Sequence, residues 1–365
     1  MRPGPPLPDF PWDTIADAAA RARAHPDGVC DLSVGTPVDP VPDIAQAALR
    51  AAADSPGYPA VWGTPALRQA IIGYLSRRWH AAGLAESGVT LAIGTKELVA
   101  ALPTLLGVRP GDTVVIPEVA YPTYAVGALM AGAQPVPAAS PEAVAGLAPA
   151  LVWTNSPSNP TGAVDSLAQT RAWIAYARVK GAVLAADECY GEFGWTAEPV
   201  SILDPAANDG DLDGLLAVGS LSKRSNLAGY RAGDAAGDPE LATGLTTLRK
   251  HLGLMTPAPV QAAMAVLLDD QAHVDAQRAR YARRRVLLAA ALGAAGFQID
   301  CSEAGLYLWA TRGEPGRVTV AALAERGVLA APGDFYGPAG ANHVRLALTA
   351  ADERIAAAAE RMAAW

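Results

Sequence analysis

The chain has 365 residues, of which 51% are apolar and 18% charged, and its formal net charge is −8. A chain of this length exceeds what one hydrophobic core usually holds, so we expect one large and one smaller domain with a cleft between them. The acidic balance, without any block of lysine and arginine, argues against nucleic acid and membranes as partners and favours a small-molecule substrate.

The spacing of cysteines and histidines argues against a disulfide framework and against a metal site. The three cysteines, Cys30, Cys189 and Cys301, are odd in number and far apart, as in a protein of the reducing cytoplasm. None of the five histidines lies three or four residues from another, so no zinc motif can be drawn. Residues 1–10 lack the apolar core of a signal peptide, and no apolar run is long enough to span a bilayer. We therefore expect a soluble, cytoplasmic protein without a metal.

The first strong element signal is a helix packed on a core. Thr64 is a typical N-cap, Pro65 suits the first helical position, and Leu67, Ile71 and Leu75 follow at helical spacing.

Between residues 88 and 220, short apolar runs alternate with segments of helical character, which is typical of β-α units around a mostly parallel sheet. The candidate strands are 89–93, 113–116, 150–153, 182–186 and 215–218. In such sheets ligands bind beyond the carboxyl ends of the strands, so the residues that follow each run carry the most weight.

The residues after the first two candidate strands suit a phosphate and a flat ring. Gly94, Thr95 and Lys96 open an apolar helical stretch, and the free N–H groups at a helix start form an anion site. Taken alone, this segment could equally be an ordinary capped helix. Tyr121 could place its ring against a heteroaromatic cofactor, although an isolated aromatic residue is more often part of the core.

The next two candidate strands are followed by a turn and by an acidic residue. Residues 155–162, rich in Asn, Ser and Pro, indicate a turn when taken alone. Asp187 ends the uncharged run 182–186, and a carboxylate there is costly unless a cation or hydrogen-bond donors accompany it. A protonated pyridine nitrogen is such a partner, and Tyr190 could then reach the ring hydroxyl. The alternative, a helix N-cap aspartate followed by a core tyrosine, stays open.

The strongest signal follows the run 215–218, where Ser220, Ser222 and Lys223 precede Arg231. A lysine at the mouth of the sheet can serve as the amine nucleophile that imine formation with an aldehyde cofactor requires. The serines and Arg231 are suitable donors to a phosphate. Without this context, a lysine in a loop is usually a surface residue.

After residue 270 the chain changes character, with a charged helix, strand-like runs at 306–310 and 344–348, and an alanine-rich terminal helix. This order predicts a second, α+β domain. We interpret Arg283, Arg284 and Arg285 as a solvated helix face.

Taken together, three motifs resemble those of the class I and II aminotransferases of the pyridoxal-phosphate fold type I superfamily. They are Asn159-Pro160-Thr161-Gly162, Asp187-x-x-Tyr190, and Ser220-x-Ser222-Lys223 followed by Gly229-x-Arg231. The resemblance runs from about residue 32 to residue 349. It implies an α/β fold, with a mostly parallel seven-stranded sheet in a large domain of residues 39–269. Residues 1–38 and 270–365 would form the smaller α+β domain.

The resemblance also implies a role for each matching residue. Lys223 would hold pyridoxal phosphate as a Schiff base and move a proton during a ping-pong transamination, while Asp187 would pair with the ring nitrogen. Asn159 and Tyr190 would hydrogen-bond the ring oxygen, and Tyr121 would stack on the ring. The phosphate would be held by the backbone amides of Thr95 and Lys96, by the side chains of Ser220, Ser222 and Arg231, and, in a homodimer with shared active sites, by the partner subunit's Tyr58.

Substrate positions follow from the same resemblance. Gly35, Asn159 and Arg345 match positions that bind the substrate, and an arginine pairs bidentately with an α-carboxylate. The segment around Gly35 is among those similar to actinobacterial N-succinyldiaminopimelate aminotransferases. These enzymes exchange an amino group between glutamate, which becomes 2-oxoglutarate, and a keto acid precursor of diaminopimelate and lysine. Because such a substrate carries several carboxylates, we hypothesise that Arg249 or Lys250 binds the distal one across the dimer.

Two other functions stay open. The same fold and cofactor residues would serve another aminotransferase or a C–S β-lyase, because the shape of the pocket selects the bond that is broken. A non-catalytic module that senses pyridoxal phosphate is a more remote possibility, since no helix-turn-helix segment fits before Leu32. Ser225 departs from the resemblance: many relatives have an aromatic residue there, so the shape of the pocket stays open.

Overall fold

The computed structural model describes residues 5–363. Its strands are β1 (Cys30–Asp31), β2 (Val89–Ala92), β3 (Thr113–Pro117), β4 (Gln134–Ala138), β5 (Leu151–Asn155), β6 (Val183–Asp187), β7 (Leu215–Ser220), β8 (Gly233–Gly237), β9 (Gln298–Asp300), β10 (Tyr307–Thr311), β11 (Val328–Leu329), β12 (Ala331–Pro332) and β13 (His343–Ala347). Its α-helices are α1 (Ala16–Arg23), α2 (Asp43–Ala51), α3 (Pro65–Trp79), α4 (Thr95–Leu105), α5 (Thr123–Met130), α6 (Leu167–Lys180), α7 (Pro205–Asn208), α8 (Leu221–Arg224), α9 (Pro239–Leu252), α10 (Ala258–Asp269), α11 (Ala272–Ala294), α12 (Gly316–Ala324) and α13 (Asp352–Ala363).

Seven strands form the central sheet, in the order β2-β8-β7-β6-β5-β3-β4. β8 runs antiparallel to its neighbours β2 and β7, and the other neighbouring pairs are parallel. The predicted α/β fold with a mostly parallel seven-stranded sheet is therefore confirmed. Each of the five strands that the sequence predicted is present, with ends that differ by one or two residues.

In the central sheet, the sequence prediction missed β4 and β8. β4 contains Pro135 and Pro137, and proline cannot donate a ladder hydrogen bond. It is tolerated here because β4 is the edge strand, with β3 as its neighbour. β8 has the sequence Gly-Asp-Ala-Ala-Gly, without a β-branched or aromatic residue, yet it is fully buried in the sheet.

Helices cover both faces of the central sheet, because consecutive strand residues point to opposite sides. Val114 belongs to the same buried core as Leu98 of α4, on one face of the sheet. The next residue, Val115, belongs to the core that contains Leu67 of α3, on the other face. All four side chains are fully buried. Because helices cover both faces of the sheet, a ligand can bind at the carboxyl ends of its strands.

A smaller sheet, in the order β12-β13-β10-β9, is antiparallel. Its core includes Leu292 of α11, Leu308 and Val344. β1 pairs in parallel with β11, so the early chain joins this part of the molecule. The domain boundaries at residues 39 and 269 stay a prediction, and residues 1–4 and 364–365 of the predicted small domain lie outside the described residues.

The three arginines of α11 do not form a uniformly solvated face, which corrects that interpretation. Arg284 is 3% exposed and pairs with Asp39 at 2.7 Å and with Asp352 at 2.5 Å. Because Asp39 lies far from α11 in the sequence, the pair fastens the two segments together.

Among the described residues, no helix has both the length and the apolar character that crossing a membrane requires.

Candidate active site

A cavity of about 510 Å³ lies at the carboxyl edge of the central sheet. Asn155, Asp187 and Ser220 are the last residues of β5, β6 and β7, so parallel strands bring all three to the cavity wall. All but three of the predicted site residues line the same cavity. The fold thus gathers residues from the whole length of the chain at one point.

Lys223 lies on α8, a single helical turn directly after β7. The Ser220 side chain caps this turn by accepting a hydrogen bond from the Ser222 N–H at 3.2 Å. Across the cavity, the Lys223 ammonium donates to the backbone carbonyl of Gly35. A Cβ atom at Gly35 would lie 2.1 Å from the Tyr307 hydroxyl, so only glycine fits there. Among residues 5–363, no carboxylate forms an ion pair with this ammonium.

Asp187 is a carboxylate buried without a cation. It is 4% exposed and accepts hydrogen bonds from the Tyr124 hydroxyl at 2.9 Å and from the Cys189 backbone N–H at 3.2 Å. Burial raises the pKa of its carboxyl, although these hydrogen bonds oppose the rise. Within the described part of the chain, no arginine, lysine or histidine pairs with it. A cationic group of a ligand at this point would stabilise its ionised form.

Asn159 and Tyr190 line the cavity and are held by other residues of the chain. The Asn159 backbone N–H donates to Asn155 Oδ1 at 2.8 Å, and Asn155 Nδ2 donates to the Asp187 carbonyl at 2.9 Å. The hydroxyls of Tyr190 and Tyr307 lie 2.9 Å apart. These contacts hold the Asn159 backbone and the Tyr190 hydroxyl in place, and the bonds predicted from the two residues to a ring oxygen stay predictions.

The start of α4 faces the cavity as an anion site. Its N-cap is Gly94, which has φ +88° and no side chain to cap the first N–H groups of the helix. A Cβ atom there would lie 2.1 Å from the Arg231 guanidinium, so glycine permits the arginine to approach. Thr95 Oγ1 donates to the Gly219 carbonyl at 2.9 Å, which ties α4 to the end of β7, where Ser220 is the last residue of the strand and Ser222 follows on α8. Backbone N–H groups, hydroxyls and a guanidinium form the donor set that a phosphate ester requires.

Arg345 is a buried cation of the cavity wall, not a charge on a strand surface. It lies on β13 and is 2% exposed. Its Nη1 donates to Asn159 Oδ1 at 2.8 Å, its Nη2 donates to the Ser33 carbonyl at 2.6 Å, and its Nε is buried without a partner. In the range 5–363 no carboxylate pairs with it, so a substrate carboxylate can supply the missing partner.

Three residues that the sequence did not single out belong to the same site. Tyr124 donates to the Asp187 carboxylate, Asn155 donates to the Asp187 carbonyl, and the Arg345 guanidinium lies 4.0 Å from the Tyr307 ring centroid. Tyr124 lies three residues after Tyr121, which was predicted to stack on a ring, and this nearness in the sequence could have indicated it. Tyr307 stands in an apolar run typical of a core strand, without any local signal of its role.

Arg249 lies outside the cavity of its own chain and its guanidinium has another partner, while its predicted contact with a distal carboxylate across a dimer stays a prediction. It is 1% exposed, and its guanidinium makes a bidentate pair with Glu97 at 2.9 and 2.8 Å. This pair joins α9 to the first turn of α4. Lys250 is exposed and lies outside the cavity, as does Tyr58, which is 98% exposed, so the roles predicted for both across a dimer stay predictions.

Arg249→Ala is expected to lower the free energy of unfolding by about 2 kcal/mol, because it leaves the partly exposed Glu97 without its partner. Urea denaturation measures the change, and the KM for substrate should stay at the wild-type value. The matched control is Arg171→Ala, whose Nη2 donates to both carboxylate oxygens of Asp209 on a solvent-exposed surface, a pair that should contribute less than about 1 kcal/mol. A rise in KM without loss of stability would restore the substrate-binding role of Arg249.

The residues of the cavity fit pyridoxal phosphate. Lys223 is an amine without an acidic partner, Asp187 is a buried carboxylate without a cation, and the anion site depends on a glycine that a Cβ would block. An aldehyde, a protonated ring nitrogen and a phosphate ester are the groups that these three features would accept.

Residues 27–362 match the family model described as aminotransferase class I and II. A probable aminotransferase of Mycobacterium tuberculosis is 58% identical over 98% of this chain and 85% of its own length. The 4-dedimethylamino-4-oxo-anhydrotetracycline transaminase OxyQ of Streptomyces rimosus is 55% identical over 98% of this chain and 99% of its own. Among solved structures, the N-succinyldiaminopimelate aminotransferase of Mycobacterium tuberculosis aligns with a TM-score of 0.86 and 29% identity over 96% of both chains. The chain therefore belongs to the class I and II aminotransferases, whose members use pyridoxal phosphate.

Proposed function

We propose that this aminotransferase exchanges an amino group between glutamate and the ε-keto acid that corresponds to N-succinyl-LL-2,6-diaminopimelate, with 2-oxoglutarate as the second product. The observation that carries the proposal is the charge of the cavity. Four cations, Lys96, Lys223, Arg231 and Arg345, line it together with one carboxylate, Asp187. The chain as a whole carries a net charge of −8, so this cationic lining is a local feature that suits an anionic ligand.

The four cations divide between cofactor and substrate. Lys223 and Arg231 suit the cofactor aldehyde and phosphate, which leaves Arg345 and Lys96 for carboxylates of the substrate. The Lys96 ammonium lies 5.4 Å from the Phe10 ring centroid and forms no ion pair with any carboxylate that the structure describes. Two separate cations favour a substrate with carboxylates at both ends, such as glutamate or the succinylated keto acid.

The chemistry follows from what each residue can do. Pyridoxal phosphate, when bound, supplies an electron sink for the negative charge that develops at the substrate α-carbon. Lys223 would hold the cofactor through its amine and, once released, would take the proton from the substrate α-carbon and deliver it to the cofactor carbon that had carried the aldehyde. Asp187 would keep a proton on the ring nitrogen, because the buried carboxylate is stabilised by an adjacent positive charge. Arg345 would hold the substrate carboxylate and so fix its orientation.

Half-reactions of the purified holoenzyme test the proposal. Glutamate should release one 2-oxoglutarate per site, and the succinylated keto acid should regenerate the starting spectrum. Its kcat/KM should exceed that of pyruvate, oxaloacetate and an unsubstituted straight-chain keto diacid by at least about tenfold. Pyruvate and ammonia formed from a cysteine thioether would instead support a C–S β-lyase, and binding without any turnover would support a sensing module.

Arg345→Ala is expected to lower kcat/KM for glutamate by about 10²- to 10³-fold, because the α-carboxylate loses its bidentate partner. Arg345→Lys should recover only part of the loss, since an ammonium lacks the planar fork. The half-reaction rate measured against glutamate concentration gives the value. Arg283→Ala is the control, because Arg283 is exposed on α11 outside the cavity and should change nothing. A full rate in Arg345→Ala would remove Arg345 from substrate binding.

A second candidate is amination of a polycyclic ketone, and an adjoining chamber favours it. A chamber of about 660 Å³ lies beside the catalytic cavity and shares Phe10, Trp12, Lys96 and Tyr121 with it. Its remaining wall is mostly apolar and includes Tyr336. The 55% sequence identity with OxyQ, a 4-dedimethylamino-4-oxo-anhydrotetracycline transaminase, also supports such a substrate. Including an anthracycline-like or tetracycline-like ketone in the same acceptor panel decides between the two, because only one acceptor should give the higher kcat/KM.

We also propose that the active unit is a homodimer in which the partner subunit's Tyr58 completes the phosphate site. The 98% exposure of Tyr58 in the single chain supports this, because a tyrosine ring left fully in water is costly. Sedimentation equilibrium should show a dimer. A monomer with full activity would contradict it.

A further inference from the structure

A chain of hydrogen bonds runs from the turn that carries Lys223 to the start of α11. Arg224 Nη1 lies 3.4 Å from Ser225 Oγ, Ser225 Oγ lies 2.8 Å from His273 Nε2, and His273 Nδ1 lies 2.5 Å from Asp270 Oδ2. Asp270 and His273 stand where α10 ends and α11 begins. These hydrogen bonds therefore connect the turn that carries Lys223 to the junction of α10 and α11. At this junction the polypeptide passes from the central sheet toward the smaller sheet.

The direction of donation in this chain is determined at both ends. Arg224 can only donate, so Ser225 Oγ accepts from it and directs its own hydrogen to His273 Nε2. Asp270 accepts the His273 Nδ1–H and, at 3.0 Å, the His273 backbone N–H as well. Every group is satisfied when the imidazole is neutral with its proton on Nδ1. Burial lowers the pKa of His273, and the positive charge of Arg224 lowers it further. The hydrogen bond to Asp270 acts in the opposite direction and raises this pKa.

The turn that carries Lys223 needs such support. α8 has four residues, which are too few to be stable without tertiary contacts. Asn226, two residues after the end of α8, has a left-handed backbone conformation with φ +55°, so the helix cannot continue through it. Arg224 anchors one side through Glu192 at 3.0 Å and the Leu267 carbonyl at 2.7 Å. Ser225 provides an anchor toward α11, beside a second one in which Asn226 Nδ2 donates to Gln277 Oε1 at 3.3 Å. Removing one anchor would leave the backbone of the lysine free to shift.

The Ser225–His273–Asp270 arrangement is not a hydrolytic site. Ser225 is fully buried and does not line the catalytic cavity, so no substrate can reach its hydroxyl. This also answers the question that Ser225 raised from the sequence, because its side chain points to His273 and leaves the pocket shape to other residues. The alignment of the three groups therefore serves the structure of the turn.

We propose that His273 is a positioning residue for Lys223: through Ser225 it holds the turn of α8 against the first turn of α11, so that the lysine amine keeps its orientation. The proposal rests on Lys223 as the residue that bonds the cofactor, and it does not depend on which keto acid is the substrate. Misplacement of a reacting group by a fraction of an ångström is enough to lower a rate without weakening substrate binding.

The test compares His273→Ala, Ser225→Ala and the double variant with the wild-type holoenzyme, using glutamate. In each single variant we expect kcat to fall about tenfold, while the KM for glutamate changes by less than about threefold. The kcat of the double variant should fall no further than that of either single variant, because both substitutions break the same connection. The pH midpoint of the lysine–cofactor absorbance should shift. In the cofactor-free protein, hydrogen exchange in peptides covering residues 219–230 should rise. Ser225→Ala removes one oxygen atom, so it carries the test even if His273→Ala does not fold.

His80→Ala is the matched control, because His80 also pairs with an aspartate, Asp204 at 3.2 Å, but on an exposed surface. It should leave every readout at the wild-type value. Variants that lose thermal stability while kcat, the spectral midpoint and hydrogen exchange at 219–230 stay unchanged would overturn the proposal. A succinylated keto acid that fails as acceptor would count against the proposed substrate and leave these glutamate readouts as they are.

Discussion

Lys223→Ala is expected to lower the rate of the glutamate half-reaction by at least about 10⁴-fold, because in the proposed function this lysine provides both the covalent attachment of the cofactor and the group that moves the proton. Lys96 also lines the cavity, but it stands on the first turn of α4 and not at the end of β7, so it cannot take over the position. Stopped-flow absorbance after mixing holoenzyme with glutamate measures the rate.

Lys180→Ala is the matched control for this substitution. Lys180 lies at the end of α6, where its ammonium donates to the Ala145 carbonyl at 2.7 Å, outside the cavity. The control enzyme should retain the wild-type rate. A Lys223→Ala enzyme as fast as this control would show that a different residue holds the cofactor.

Asp187→Asn is expected to lower kcat by about 10²- to 10³-fold, because a neutral amide cannot keep a proton on the ring nitrogen and so weakens the electron sink. The substitution preserves shape, so the hydrogen bond from Tyr124 can persist on the amide oxygen. Steady-state kinetics gives kcat, and titration of the cofactor-free protein with pyridoxal phosphate gives the accompanying loss of affinity.

The control for Asp187 is a second buried aspartate of the same sheet. Asp234 on β8 is 6% exposed, and burial raises the pKa of its carboxyl to about 6, yet it does not line the catalytic cavity. Asp234→Asn should leave kcat near the wild-type value. Equal losses in the two variants would mean that a buried carboxylate as such, and not its place beside the cofactor, accounts for the effect.

Much of the central sheet was predictable because its strands are apolar runs of β-branched and leucine residues between turn signals. β4 and β8 were not, because their local composition contradicts their conformation. Pro135 and Pro137 are acceptable only at a sheet edge, and edge position is a property of the whole topology. The small residues of β8 leave room for what packs on the faces of the sheet, since a Cβ atom at Gly233 would lie 3.1 Å from the Thr95 backbone nitrogen of α4, and no window of sequence expresses this tertiary requirement.

The candidate site was predictable where a residue follows a strand, because topology then determines where its side chain lies. Asp187 and Ser220 are of this kind. Arg249 shows the opposite case: a sequence does not reveal that a cation is already paired, here with Glu97, which lies 152 positions away. Tyr307 shows a third, since a core-like strand contributes one polar atom whose partner is decided only by packing.

The central claim is that the Lys223 amine bonds the cofactor, and borohydride reduction of the holoenzyme tests it most directly. The sequence contains four lysines, at positions 96, 180, 223 and 250, so peptide mass mapping can assign the product without ambiguity. We predict a single pyridoxyl group, on Lys223. A pyridoxyl group on one of the other three lysines, or on none, would contradict the account.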